Sequence, residues 1–243
     1  MARFQLYSDI HFEFLGEKEG KAYIKNLPKL DVDGVIIAGD IGDFKTFPTY
    51  LKLLCEHFAP TPILYVAGNH EHYHGSIAQV RSLRKELAAS IPNLINLDRS
   101  SVQIAGVKVS GATLWFGDDP LNVLYKRNMG DFYYVKNLES EVYNENKLAR
   151  EFFESEEPQI IVTHHLPFDG VIHPQYAGSP LNRFFVGATE EFVRSLTSLK
   201  VWCYGHTHTP TDETIYNTRF ICNPYAYPSE SKKLYRNDLI VEI

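Results

Sequence analysis

Paired cysteine chemistry is missing from this sequence. Its three cysteines, Cys55, Cys203 and Cys222, are odd in number and form no CxxC, which gives no basis for a thiolate zinc site and fits a reducing cytosol. Long apolar runs are missing too: none approaches the ~20 residues of a membrane span. The amino terminus, Met1-Ala2-Arg3-Phe4, runs straight into strand-like sequence without a secretory leader, so the expectation is a cytoplasmic protein with no membrane partner. Positive charge is in deficit, 24 Lys and Arg against 30 Asp and Glu for a formal −6, which argues against a general nucleic-acid binder. Repeats, low-complexity tracts and linkers are absent, and one domain is expected over residues 1–243.

What is present is a large apolar complement. Hydrophobic residues make up 44%, with 15 Tyr and 15 Phe, ample for a sizeable core. Phe4 to Tyr7 reads as a strand, and Gly34 to Ala38 (GVIIA) as a strand buried on both faces. Helical spacing follows over Thr46 to Phe58, a strand over Pro62 to Val66 and a helix over Ile77 to Ala89. This β–α–β–α order is the signature of a mainly parallel sheet. Ser101 to Ile104 and Val107 to Ser110 flank a hairpin turn at Ala105-Gly106. Further on come a helix at Leu138 to Phe153, a strand at Gln159 to Val162, a helix at Thr189 to Leu199 and a strand at Lys200 to Tyr204. Strand-like segments around Asn217-Thr218 and at Leu239 to Ile243 end the chain. Two irregular stretches, 117–137 and 165–187, are long enough to suggest function rather than connection.

The ten histidines are the informative count. Five predicted strands are followed by a cluster of His, Asp or Asn: Ser8-Asp9-Ile10-His11, Gly39-Asp40, Gly68-Asn69-His70-Glu71, Thr163-His164-His165 and Gly205-His206-Thr207-His208. Sites in open α/β sheets form at the carboxyl ends of strands, where the loops converge. These residue types suit divalent transition metals such as Mn, Fe, Zn or Co. In extended backbone, residues two apart point the same way, so Asp9 and His11 could reach one ion, and His206 and His208 could face one cavity. A carboxylate at Asp40 has two oxygens with which to bridge two ions. Glycines at 39, 68 and 205 would allow close backbone approach beside each ligand.

The five blocks, in this order over residues 9–208, closely resemble the calcineurin-like metallophosphoesterase superfamily, in its small bacterial form. Arg219 to Tyr227 (RFICNPYAY) resembles the strand and turn that follow in such members. The resemblance implies an α/β fold, two mixed β-sheets in a sandwich flanked by helices. It implies a first metal held by Asp9, His11, Asp40 and His208, and a second by Asp40, Asn69, His164 and His206, with Asp40 bridging. His70 would stand beside the leaving-group oxygen as general acid, held charged by an anionic neighbour such as Asp9. The implied reaction is phosphate-ester hydrolysis by in-line attack of a hydroxide shared between two divalent ions.

Substrate contacts are expected from Asn69, His165, Arg127 as a phosphate clamp, and Tyr225, while the segment carrying Arg127, Asn128 and Asp131 could fold over the site. His72 and His74 are expected on a surface loop. A small-molecule phosphodiester, cyclic nucleotide or similar, is the first expectation. Phosphomonoesterase or phosphoprotein Ser/Thr phosphatase activity is the alternative, with a nuclease or a catalytically silent scaffold behind it.

Overall fold

A computed structural model describes residues 1–243. The first sheet holds β1 (Arg3–Tyr7), β2 (Gly34–Ala38), β3 (Ile63–Val66) and β4 (Leu94–Asn96), all parallel. The second holds the hairpin β5 (Ser100–Ile104) and β6 (Val107–Gly111), then β7 (Ile160–Val162), β8 (Val201–Tyr204) and the hairpin β9 (Thr211–Ile215) and β10 (Thr218–Cys222). The carboxyl-terminal β11 (Ile240–Glu242) returns antiparallel to β1. Strand orders are β11-β1-β2-β3-β4 and β5-β6-β7-β8-β10-β9.

Alternation along these strands builds four layers. In β2, Ile36 and Ala38 point at the other sheet while Val35 and Ile37 point at helices. In β8, Val201 and Cys203 face the first sheet while Trp202 and Tyr204 face outward under helices. Each central strand is therefore buried on both faces, which is why GVIIA and VWCY carry no polar alternation. Helices α1 (Glu17–Asn26), α2 (Phe47–Phe58) and α3 (Ile77–Ser90) cover the outer face of the first sheet. Two short helical turns, α4 (Asn122–Tyr125) and α5 (Asp131–Tyr134), interrupt the first long loop. Then α6 (Leu138–Glu156) and α7 (Glu190–Ser195) cover the second sheet. This is the α/β/β/α sandwich expected.

Differences from the sequence reading are local. The helix α1 and strand β4 were not expected. The β9–β10 turn sits at Tyr216-Asn217, one residue earlier than Asn217-Thr218, because both turn residues take positive φ (53° and 64°), as a two-residue turn between twisted strands requires. His72 is buried rather than on the surface: its Nδ1 lies 2.8 Å from the Gly68 carbonyl and its ring packs on Trp115.

Candidate metal centre

Five strands, β1, β2 and β3 of one sheet and β7 and β8 of the other, end at the same edge of the sandwich. The residues that follow them meet there. Three oxygen or nitrogen donors from Asp9, His11 and His208 lie within 4.8 Å of one another, as do three from Asp40, His164 and His206. Asp40 stands between the groups, its Oδ2 3.3 Å from His164 Nε2 and 3.7 Å from His11 Nε2. Asn69 completes the second group with Oδ1 2.9 Å from His164 Nε2.

The extended-backbone argument does not describe how these side chains converge. Asp9, His11, Asp40, His206 and His208 all adopt left-handed backbone, φ between 52° and 71°. Such conformations cost free energy in non-glycine residues and cluster at functional sites. They turn the chain sharply just past each strand, so that consecutive ligands reach inward from one edge. The glycines make room for this. Gly39 itself has φ 84°, and a Cβ on Gly68 would stand 2.1 Å from Asp40 Oδ1.

Several polar atoms here are placed as donors to cations between them would be. Asp9 Oδ2 and His206 Nε2 are buried without a hydrogen-bond partner. His11 Nε2 and His208 Nε2 face each other at 3.0 Å. Both rings have their Nδ1 committed elsewhere, His11 to Glu13 at 3.0 Å and His208 to Glu230 at 2.7 Å, so the Nε2 lone pairs are the atoms offered to the site. Nitrogen and carboxylate donors of this kind suit divalent transition ions, and the residues present fit two of them.

Supporting contacts fix the ligands. Asn69 Nδ2 donates to Asp131 Oδ1 at 2.8 Å, which turns the Asn69 oxygen inward, and Tyr73 donates to the same carboxylate oxygen at 2.7 Å. Glu71 accepts from the backbone N–H groups of Asp40, Ile41 and Gly68 and from the Tyr65 hydroxyl. It thereby ties the loop after β2 to the loop after β3.

His70 lies beside the metal ligands without joining them. Its Nδ1 donates to Glu13 Oε1 at 2.8 Å, the oxygen that also accepts from His11. Its Nε2 points at the Tyr227 hydroxyl, 3.1 Å away. Burial disfavours charge on His70, but Asp40 and Glu13 outweigh it and raise its pKa to about 9. The anion that orients His70 is thus Glu13, not Asp9. Its signal was the Asp9-x-His11-x-Glu13 spacing, which places a carboxylate two residues past a ligand. Tyr227 and Glu230 follow the Asn-Pro turn at 223–224; Tyr227 was weighed only as an aromatic that could stack on substrate, and Glu230 was not singled out.

The other expected contacts are placed elsewhere. Arg127 is exposed and lines a separate surface depression with Tyr133 and Glu139. His165 is buried behind His206, rings 4.4 Å apart, with its Nδ1 3.3 Å from the Thr113 carbonyl. Tyr225 packs against Tyr23 and Tyr235, away from the metal ligands. Of the 127–131 segment, Asp131 reaches the site and Arg127 does not.

His164 carries a testable consequence. Both its ring nitrogens face acceptors, Nδ1 the Ala38 carbonyl at 2.9 Å and Nε2 the oxygens of Asn69 and Asp40. Burial opposes its charge, but Asp40 prevails and lifts its pKa to about 10. Below that pH the metal-free chain holds an imidazolium where a ligand must be neutral, so loading releases a proton. Binding is therefore weaker at lower pH, by about tenfold per unit for each proton released. Calorimetric titration of Mn²⁺ at pH 7 in two buffers of different ionisation enthalpy is expected to show release of about one proton or more. Binding with no proton release would refute this charge assignment.

Comparison with known proteins agrees with the geometry. The family model described as calcineurin-like phosphoesterase matches residues 2–210. Among solved structures, a phosphopantetheinyl hydrolase from Mycobacterium tuberculosis superposes with a TM-score of 0.75 at 16% identity, covering 100% of this chain and 95% of that one. A dimetal phosphatase from Danio rerio superposes at 0.54 with 14% identity, covering 91% and 86%. A Thermus thermophilus protein superposes at 0.58 with 13% identity, covering 92% and 89%. At these identities the likeness is one of fold. No curated protein sequence matches the chain significantly.

Proposed function

The chain belongs to the calcineurin-like phosphoesterase family, and from that premise we propose that it is a dinuclear metal-dependent phosphodiesterase acting on a small molecule. Two divalent ions, held by Asp9, His11, Asp40 and His208 and by Asp40, Asn69, His164 and His206, would supply an activated water near neutral pH and neutralise charge on the phosphoryl oxygens. The protein's own part is positional and protonic. Asp40 and Asn69 are fixed by Glu71 and Asp131 before substrate arrives. His70, charged and held by Glu13, has an Nε2 proton that now faces the Tyr227 hydroxyl, and the departing oxygen would replace that hydroxyl as its acceptor. No side-chain nucleophile is required, so no covalent phosphoenzyme forms.

The observation that carries the diester reading is the charge of the cavity over the centre. Its volume is about 440 Å³, and no lysine or arginine lines it, while Asp131 and Glu230 do. A phosphomonoester is close to a dianion at pH 7, with a second pKa of about 6. It gains from guanidinium or ammonium partners that this cavity lacks. A diester carries one negative charge and is the better match.

A panel of phosphomonoesters and phosphodiesters, including cyclic nucleotides and a phosphopantetheinyl ester, tests this with Mn²⁺-loaded protein. Two ions per chain by metal analysis are expected, with kcat/KM for an aryl diester above that of the matching monoester. Protein that holds no ions under Mn²⁺-replete conditions and hydrolyses no aryl phosphodiester would sink the enzyme reading. Faster monoester turnover would overturn the diester preference alone.

A further inference from the structure

The cavity does not stop at the ions. On one side it runs between the two long loops, 117–137 and 165–187, whose role the metal ligands leave unexplained. Its walls there are Met129, Leu166, Ile172, Tyr176, Leu181 and Phe185. Phe185 starts this arm at the metal centre, its ring 4.4 Å from that of His206. Leu166, two residues past His164, pairs with Val186 and pins the second loop in place. Met129 and Leu166 are buried, whereas Ile172 and Leu181 are half-buried and face the open space. Past Ser179 and Asn182 the arm opens into a wider surface groove of about 1180 Å³ with which it shares those residues.

Three features of this arm select its occupant. The cavity of which it is part, about 440 Å³, is far larger than a phosphate needs and lies within the range of about 300–1,000 Å³ typical of pockets for small organic ligands. The six wall residues of the arm are apolar, four of them aliphatic, and Phe185 is already covered on one side by the His206 ring, so an apolar chain matches these walls. No lysine or arginine lines the arm itself, so an anionic group held within it would lose hydration without compensation. We propose that this arm receives one ester substituent of the substrate, and that the substituent is an uncharged, extended, predominantly aliphatic chain. The assignment rests on the phosphodiesterase reading for its reaction and on the cavity for its specificity. It gives the two loops a function: they form the specificity wall of the site.

The test uses p-nitrophenyl phosphodiesters whose second ester is methyl, hexyl or 5-carboxypentyl, with the Mn²⁺-loaded full chain. The hexyl ester is expected to show kcat/KM at least about tenfold above the methyl ester, the gain from burying two or three methylenes. The carboxypentyl ester should lose that advantage. Leu181→Asp, and separately Ile172→Asp, should bring the hexyl-to-methyl ratio close to one. Binding is read independently by calorimetry with non-hydrolysable hexyl and methyl methylphosphonates, where the same ratio is expected in Kd. Equal values for hexyl and methyl, in turnover or in binding, would overturn the proposal, as would a hexyl preference unmoved by both variants. Failure to cleave any of the three esters would count against the hydrolase reading, and the phosphonate ratio would still decide the arm.

Discussion

Replacing His70 with alanine is expected to leave two ions per chain and to cut turnover of a phosphodiester with a poor leaving group by about 10²–10⁴-fold, the usual contribution of a positioned general acid. A nitrophenyl leaving group, which needs little protonation, should be affected far less. The reason is geometric. His70 is in neither of the two donor groups built around Asp9 and Asp40, although its ring nitrogens lie close to those of His11 and to Glu13; its Nδ1 is spoken for by Glu13, and its Nε2 is the atom that faces the cavity. Glu13 sets this arrangement, because one carboxylate oxygen accepts from both His11 and His70. Its side chain is only 10% exposed, so little water competes for those bonds. With two ions bound at Asp40, Glu13 would be the hydrogen-bonded carboxylate that keeps His70 protonated, aided by the charge of Asp131. Glu13→Gln, which keeps the shape and loses the charge, should therefore reproduce the leaving-group pattern of His70→Ala at a smaller size, about tenfold to a hundredfold. Steady-state kinetics on a leaving-group series, with metal content measured on the same samples, decides the matter. If both variants slow good and poor leaving groups equally, His70 is not the acid.

The strands and the polar clusters that follow them were legible because they obey local rules, the ligand assignment came from the family resemblance, and the misses have physical causes. GVIIA reads as a doubly buried strand since both its faces pack, one on helices and one on the opposing sheet. Helix α1 hid behind its charges and a central glycine. Gly20 is small because a Cβ there would meet the Tyr50 ring at 2.8 Å, a tertiary reason that periodicity does not carry. The ligand blocks were found by residue type and order, but the backbone assumed for them was wrong: left-handed turns, not extended strand, aim Asp9 and His11. Glu13 was missed because its spacing from His11 is a weak signal until the fold brings His70, 57 residues away, onto the same oxygen. His72 looked like surface for the converse reason, since its burial depends on Trp115, 43 residues further along the chain. Contacts between distant segments are where single-sequence reasoning loses its grip.

Glu71 combines both lessons, for it was quoted in a motif and given no role. It is fully buried and contributes no atom to the ions' donor groups. Its two oxygens collect the Asp40 N–H at 3.1 Å, the Ile41 N–H at 2.9 Å, the Gly68 N–H at 2.8 Å and the Tyr65 hydroxyl at 3.0 Å. The backbone of Asp40 is left-handed, and these bonds are what oppose its relaxation. Glu71→Ala would strand four buried donors, each worth about 1–3 kcal/mol when left unpaired. Partial relaxation and water entry reduce the sum, so a loss of about 3–5 kcal/mol is expected, a large part of the roughly 5–15 kcal/mol that holds a domain together. At about 2–4 °C per kcal/mol for a chain of this size, Tm should fall by about 10 °C. Glu71→Gln, which keeps one carbonyl acceptor but turns an amide N–H toward a backbone N–H, should fall between. Because the same bonds fix Asp40, metal content should drop alongside Tm, and loading with Mn²⁺ should recover part of the stability by mass action. Thermal unfolding of the metal-free and loaded variants tests this directly: an alanine variant that melts within about 2 °C of the parent chain would show that Asp40 is held by something other than Glu71.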